Sequence, residues 1–375
     1  MDESEKLHKK LRGKIRVTST TEVTKDTLAM VYTPGVGTIS SIIAKQPERA
    51  SELTWKSKTV AIVSDGSAVL GLGNIGPLGA LPVMEGKAIL FREFAGLNGV
   101  PIVLSTQDPE EIIRTCVAIA PGFGGINLED IKAPECFYIE AQLKKLLDIP
   151  VFHDDQHGTA IVCLAGLINA LRVSGKNPKN LRVVLSGVGA AGVAIARLLK
   201  LQFPEAHITA VDSTGILSAT RPKLDGSKRS LLQENIIDGS KDGDLSDALH
   251  GCDVFIGVSK GGILSKVLIR SMNKDPIIFA MANPDPEILP AEAHSAGAAI
   301  VATGRSDFPN QLNNALVFPG LFKGALANDV HNITDEHKLF VANAIADSVA
   351  EPTAEHIIPS IFQENLSDII AATFA

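Results

Sequence analysis

The sequence predicts an α/β protein of two domains, each organised on a parallel β-sheet. Three observations carry that prediction. Between Thr59 and Asp155, and again between Leu181 and Ala302, short runs rich in Val, Ile and Ala alternate with helical stretches, the rhythm of parallel strands joined by crossover helices. The polar turn Gly175-Lys-Asn-Pro-Lys-Asn180 divides the two series. Leu181–Ser186 then runs directly into Gly187-Val-Gly-Ala-Ala-Gly192, a strand feeding a glycine turn. We assign residues 1–158 to the first domain and 159–375 to the second, with the helix from Thr159 leading into the turn at Gly175.

Composition narrows the function classes. A chain of 375 residues has room for two cores, and 45% hydrophobic with 21% charged residues is ordinary for a globular protein. A formal net charge of -7 argues against nucleic-acid or anionic-membrane partners, both of which require a basic surface. The start, Met1-Asp-Glu-Ser-Glu-Lys-Leu-His-Lys-Lys10, lacks the apolar core of a signal peptide. The most apolar run, Ala160 to Leu171, is too short to span a bilayer and reads as a buried helix. Cys116, Cys136, Cys163 and Cys252 show no C-x-x-C spacing, which fits reduced thiols in a cytoplasmic protein.

Residues 1–30 are polar and read as partly helical, in need of a neighbour to fix them. Tyr32, one of 2 tyrosines, precedes a Pro-Gly turn; it is a packing residue capping a loop or, held against a low-dielectric pocket, an acid. Thr59–Asp65 is a buried strand, followed by a loop carrying Gly66, Gly71, Gly73, Gly76 and Gly79. The Gly71/Gly73/Gly76 spacing imitates a nucleotide turn, but Pro77 follows, and we expect the helix to begin near Pro82 and run to Phe94. Lys87 lies on that helix among apolar residues. It is a surface lysine with a buried stem or a base, and neutralising it at pH 7 from its reference pKa costs roughly 4.6 kcal/mol. Burial or a nearby metal ion lowers that cost.

Strands at Pro101–Leu104 and Gly125–Asn127 and helices at Pro109–Ala120 and Pro134–Leu147 continue the alternation, so the functional loops belong at the strands' carboxyl ends. Two acidic pairs lie there: Glu129 and Asp130, then Asp154 and Asp155. If they converge they need a cation, and oxygen-only ligands suit Mg²⁺ or Mn²⁺; otherwise they are a solvated loop and a helix cap. His153-Asp-Asp-Gln-His157 imitates a zinc motif, but both histidines precede the helix expected from Thr159, on a strand-to-helix loop, where they do not share a helical face.

In the second series, the strand Leu181–Ser186, the turn Gly187/Gly189/Gly192, the helix Val193–Leu201 and the strand Ile208–Asp212 ending in an acid together make a dinucleotide site of Rossmann type. Gly189 admits the pyrophosphate beside the helix N-terminus. Asp212 is expected to accept bonds from the ribose hydroxyls and to repel a 2′-phosphate, favouring NAD, with NADP left open because of Arg221 further along the chain. Strands at Asp253–Gly257, Ile277–Met281 and Ala299–Ala302 follow. Asn283 and Asn313-Asn314 lie at the sheet's ligand edge, as binding amides or as turn residues. Residues 335–375 read as helical, closing this domain or packing back on the first.

The motifs Tyr32-Thr-Pro-Gly-Val, Ser64-Asp-Gly-Ser, Leu70-Gly-Leu-Gly-Asn, Gly86-Lys-Ala-Ile-Leu-Phe, Leu128-Glu-Asp, His153-Asp-Asp-Gln-His-Gly-Thr, Gly187-Val-Gly-Ala-Ala-Gly, Ala282-Asn-Pro and Asn313-Asn-Ala-Leu-Val-Phe-Pro-Gly resemble, in order, those of the malic enzymes in their short prokaryotic-type form. The resemblance implies metal-dependent oxidative decarboxylation of L-malate to pyruvate and CO₂ with reduction of NAD or NADP, and a homodimer. It implies Glu129, Asp130 and Asp155 as metal ligands, Asp154 as a supporting carboxylate, Lys87 as base and Tyr32 as acid. Asn283 and Asn314 would hold substrate carboxylates, with Asn283 also near the cofactor. Ala68 stands where longer members carry a substrate-pairing arginine, leaving Arg305 as a candidate by loop position. The alternatives are a malolactic-type or oxaloacetate-decarboxylating enzyme with bound NAD, and a non-catalytic NAD-binding sensor.

Overall fold

The computed structural model describes residues 2–375, apart from the side chain of Leu70. The first sheet holds β1 (Thr59–Ser64), β2 (Asn98–Val103), β3 (Gly125–Leu128) and β4 (Val151–His153), in the order β2-β1-β3-β4. The second holds β5 (Arg182–Ser186), β6 (His207–Asp212), β7 (Gly215–Ile216), β8 (Val254–Gly257), β9 (Ile277–Ala280) and β10 (Ile300–Thr303), in the order β10-β9-β8-β5-β6-β7. The expected α/β architecture with parallel sheets is present. Only β7, too short to show a period in the sequence, pairs antiparallel, with β6. β1 is buried along its whole length, as a strand covered on both faces requires. Its register sets Val63 beside Leu128, and Leu128 in turn beside His153. The carboxyl ends of β1, β3 and β4 therefore deliver Asp65, Glu129 and Asp154 to one edge.

Two helices begin earlier than the sequence led us to expect. The Lys87 helix spans Gly76–Ala95 and contains Pro82. The carbonyl that Pro82 leaves without a donor belongs to Leu78, a residue that is 80% exposed. The long helix spans Asp154–Ser174, so it starts at the acids rather than at Thr159. His157 thus sits in its first turn, and His153 ends β4 instead of lying in a loop. A helix N-terminus favours negative charge, which the expectation of a late start ignored. From Ala160 to Leu171 this helix is buried throughout, and the core around it includes Val60 and Ile62 of β1, Phe91, and Val183 and Leu185 of β5. One continuous apolar body thus joins the two sheets.

The C-terminal part is helical at Asp335–Asp347 and Leu366–Ala371, not throughout; Pro352 and Pro359 interrupt it. It packs back on the first half, where Phe94 meets Phe362 at 6.0 Å between ring centroids, while Phe91 lies 4.8 Å from Phe318 of the preceding helix. The N-terminal helices Glu3–Leu11, Lys25–Val31 and Gly35–Lys45 bury none of their residues. Leu28, Met30, Val31 and Tyr32 are exposed there. Lys14 ties this segment to the Lys87 helix, its backbone N–H donating to Glu85 Oε2 at 3.2 Å and its Nζ to the Pro82 carbonyl at 2.7 Å.

Candidate active site

Glu129 and Asp130 follow β3, and Asp154 and Asp155 open the long helix. The structure brings one ligand oxygen each of Glu129, Asp130 and Asp155 within 4.8 Å of one another. The backbone N–H of Asp130 donates to Asp155 Oδ2 at 2.7 Å, binding the two acidic pairs together. Asp130 takes φ 55, a left-handed conformation that Asp tolerates better than most residues. Asn127, which the sequence did not single out, donates from Nδ2 to Glu129 Oε2 at 3.0 Å. Into this group the buried Lys87 extends its Nζ, 2.9 Å from Glu129 Oε1, hydrogen-bonded to Asp154 Oδ2, and 4.5 Å from the Phe318 ring centroid.

Burial pushes the Glu129 carboxyl up to about 7, with Asp155 adding repulsion against the attraction of Lys87. Burial likewise raises Asp154 to about 7 and Asp155 to about 6. For Lys87, burial works against the charge, but Asp154, Glu129 and Asp155 outweigh it and hold the ammonium above its ordinary pKa. These carboxylates outnumber the one buried cation among them. The donor set is oxygen only and convergent, with Glu129 and Asp130 buried and Asp155 partly open to solvent, so it fits a hard divalent ion rather than zinc. His157 is engaged elsewhere, its Nε2 contacting Glu140 Oε2 at 2.9 Å, while the buried His153 ring flanks the acids with Nδ1 3.9 Å from Asp155 Oδ2.

A pH-dependent consequence follows. An acid whose folded pKa lies above its unfolded value penalises folding once it ionises, so the metal-free protein should lose stability as pH rises from about 4, the unfolded value, to about 7. Saturation with Mn²⁺ at pH 7.5, at a hundredfold excess over Kd, is expected to add about 2.7 kcal/mol. At pH 5 protons compete for the same oxygens, and the gain should shrink. Thermal unfolding with and without EDTA at both pH values measures this.

The glycines show how tightly the remaining candidates close in. A Cβ on Gly158 would fall 1.9 Å from Asp154 Oδ1 and 3.0 Å from Asn314 Cβ, so Asn314 lies beside Asp154. A Cβ on Gly71 would fall 2.0 Å from the Asn283 carbonyl, which seats the glycine-rich loop of the first half against the Asn283 turn of the second. Ahead of that loop, Ser67 Oγ donates to Asp65 Oδ1 at 2.6 Å and accepts from the Lys132 backbone at 2.9 Å. The Ala68 backbone donates to the Asp130 carbonyl at 2.9 Å. Gly158 had a sequence signal, a glycine between the polar Asp154-Asp-Gln-His157 and the apolar run from Ala160. Arg305 pairs with Asp307 at 2.8 and 2.7 Å and donates to the Pro284 carbonyl at 3.2 Å, beside Asn283. Tyr32 is not gathered in with these residues. It is 66% exposed on the N-terminal segment.

In the second half, Gly187 adopts φ 101, and a Cβ there would fall 2.7 Å from the Val258 carbonyl. A Cβ on Gly192 would strike the Gly187 carbonyl at 2.0 Å, whereas beside Gly189 there is open space. The turn is tight where chain meets chain and open at Gly189, just before the helix Ala190–Gln202, whose N-terminus favours an anion. It lies where strand order reverses around β5, the switch point at which such sheets bind ligands. Asp212 ends β6. Burial acts against its charge, but hydrogen bonds from Arg221, Thr214 and Lys228 hold its carboxyl well below the usual range.

Residues 10–144 match the family model described as malic enzyme, N-terminal domain, and residues 156–374 match malic enzyme, NAD binding domain. A bifunctional malic/malolactic enzyme of Bacillus subtilis is 48% identical over 378 residues, covering 100% of this chain and 92% of that protein. An NAD-dependent malic enzyme of Geobacillus stearothermophilus is 52% identical over 357 residues, covering 94% of this chain and 74% of that protein. The crystal structure of an NAD-dependent malic enzyme from Thermotoga maritima has a TM-score of 0.95 at 46% identity, covering 100% of this chain and 99% of that one. Both halves of the sequence find their counterpart in one group of proteins, and on that ground the chain belongs to the malic enzyme family.

Proposed function

We propose that the chain catalyses divalent-metal-dependent oxidative decarboxylation of L-malate to pyruvate and CO₂ with reduction of NAD or NADP, acting in the cytoplasm as a homodimer. The observation that carries this reading is Lys87 buried between Glu129 and Asp154 at the edge where Glu129, Asp130 and Asp155 converge. Those three acids would hold Mg²⁺ or Mn²⁺, which when bound supplies positive charge at the substrate's C2 oxygen. Gly187, Gly189 and Gly192 would seat the nucleotide, which when bound supplies a hydride acceptor for C2. Asn283 and Asn314 orient the substrate carboxylates. Lys87 removes the C2 hydroxyl proton; as its neighbouring carboxylates share their charge with a cation, the field that keeps it protonated weakens. Asp154 positions the amine. Departure of the C4 carboxylate as CO₂ leaves its electron pair as an enolate, and Tyr32 donates a proton to C3. The division at residue 158 belongs to the same reading, with metal acids on one side and the nucleotide turn on the other.

Tyr32 fits that role through a second copy of the chain. The segment carrying it buries none of its helical residues while exposing Leu28, Met30 and Val31. Such an unpartnered apolar face is an interaction surface, and in a homodimer it would carry Tyr32 to the partner's site. The four cysteines are free and buried, in keeping with a reducing compartment.

A steady-state assay with L-malate, NAD or NADP, and Mn²⁺ tests the reading by the absorbance of the reduced nicotinamide. Turnover is expected, and EDTA in excess should abolish it. Turnover untouched by chelation would remove the metal role. The bifunctional relative at 48% identity favours one second reading, a malolactic reaction. That reaction yields lactate and CO₂ without accumulating reduced cofactor, and a lactate assay separates the two. A non-catalytic sensor would show neither product.

A further inference from the structure

Glu287 lies in the loop after β9 and is fully buried. Each of its carboxylate oxygens accepts a backbone N–H from a different loop: Oε1 from Ser259, just past β8, at 3.1 Å, and Oε2 from Ala282, just past β9, at 3.0 Å. The same loops meet again where the Gly262 N–H donates to the Pro286 carbonyl and the Leu264 N–H to the Glu287 carbonyl, both at 3.0 Å. Room for the carboxyl comes from Gly257, the last residue of β8, where a Cβ would fall 2.3 Å from Glu287 Cδ. Burial pushes this carboxyl up and the two N–H donors pull it back. Each anchored loop leads to a binding site of the proposed reaction. Ser259 lies against the nucleotide turn, since a Cβ on Gly187 would fall 3.0 Å from Ser259 Cβ, and its Oγ stands 3.2 Å from Ser186 Oγ. Ala282 precedes Asn283, whose carbonyl the Gly71 backbone approaches from the first half.

We infer that Glu287 is a positioning residue that sets the nucleotide turn and the substrate-binding Asn283 turn against each other while touching neither ligand. One side chain reaches both because neighbouring parallel strands end side by side: Ser186 of β5 pairs with Gly257 of β8, and Gly257 with Ala280 of β9. Ser259 braces Gly187 from behind, so a shift of the loop after β8 alters the turn that receives the pyrophosphate. The bond to Ala282 fixes where the chain leaves β9, and with it the place of Asn283. An apolar side chain of similar length fills the space but leaves two buried N–H groups without acceptors, which each loop can satisfy only by moving toward water. The inference rests on the proposed function and names what holds its two binding sites in register.

The test measures, on the full-length protein, the Kd for NADH by its fluorescence without malate, and KM and kcat for L-malate with Mn²⁺ and NAD. Glu287→Leu is expected to raise both the NADH Kd and the malate KM about tenfold, the loss of one buried hydrogen bond at each loop, with kcat at saturating substrate much less affected. Glu287→Gln keeps the shape and one acceptor, so at least one of the two constants should stay raised about tenfold. A purely structural role would lower the unfolding temperature of both variants and leave both constants as they were. Normal constants in Glu287→Gln would make the carboxylate a packing group and overturn the proposal, whether or not Glu287→Leu folds. If the unaltered protein binds NADH without turning over malate, the proposed function fails, while the NADH Kd of Glu287→Leu still decides whether this side chain holds the nucleotide turn.

Discussion

Lys87→Arg is expected to lower kcat for L-malate by about 10³, within the range that general base catalysis supplies, while the protein stays folded. The guanidinium keeps the charge that Glu129 and Asp154 require but does not give up its proton. Lys87→Ala should be equally inactive and also less stable, by about 3–5 kcal/mol, because it leaves buried carboxylates without their cation. Steady-state kinetics and thermal unfolding of both variants separate the two contributions. A structural lysine would show recovery of activity in Lys87→Arg. The same variant locates Tyr32. If each site takes its lysine from one chain and its tyrosine from the partner, mixing Lys87→Ala with Tyr32→Phe and letting subunits exchange should restore about a quarter of normal activity. Half the dimers would then be mixed, each with one intact site. No recovery would place both residues in one chain.

Gly158→Ala is expected to cost about 10² in kcat. Its Cβ would lie 1.9 Å from Asp154 Oδ1 and 3.0 Å from Asn314 Cβ, so the carboxylate beside Lys87 must move, and displacements of about 1 Å at a reacting group carry losses of that size. The helix itself gains, since alanine is favoured over glycine by about 1 kcal/mol in a helix interior. The unfolding temperature should therefore fall much less than activity does. A variant that unfolded in proportion to its lost activity would contradict this account.

The parallel strands were legible because covered parallel strands are continuous apolar runs, as in Thr59–Ser64 and Ile277–Ala280, whereas the two-residue β7 was not. Helix starts were less so. Pro82 and the acids at 154 and 155 look like interruptions to a reading by propensity, yet an exposed residue one turn back and a helix dipole accommodate them. The convergence of Glu129, Asp130 and Asp155 depends on adjacent strand ends, which alternation anticipates. The approach of Lys87 to Asp154 does not show in spacing, since it is set by how one helix lies across a sheet. The capture of Asp212 by Arg221 and Lys228 was hidden for the same reason: a loop of unremarkable polarity folds back on the strand end.

The helix Asp154–Ser174 also bears on how such a chain can be divided. The two family models stop at 144 and resume at 156, and the gap holds His153, Asp154 and Asp155. A recombination joint placed there would sever the acids from the strand edge that aligns them. It would also strip the apolar flank of the helix from β1, leaving a greasy rod on the C-terminal fragment. What reads as two modules in the alphabet of families is, mechanically, a single piece.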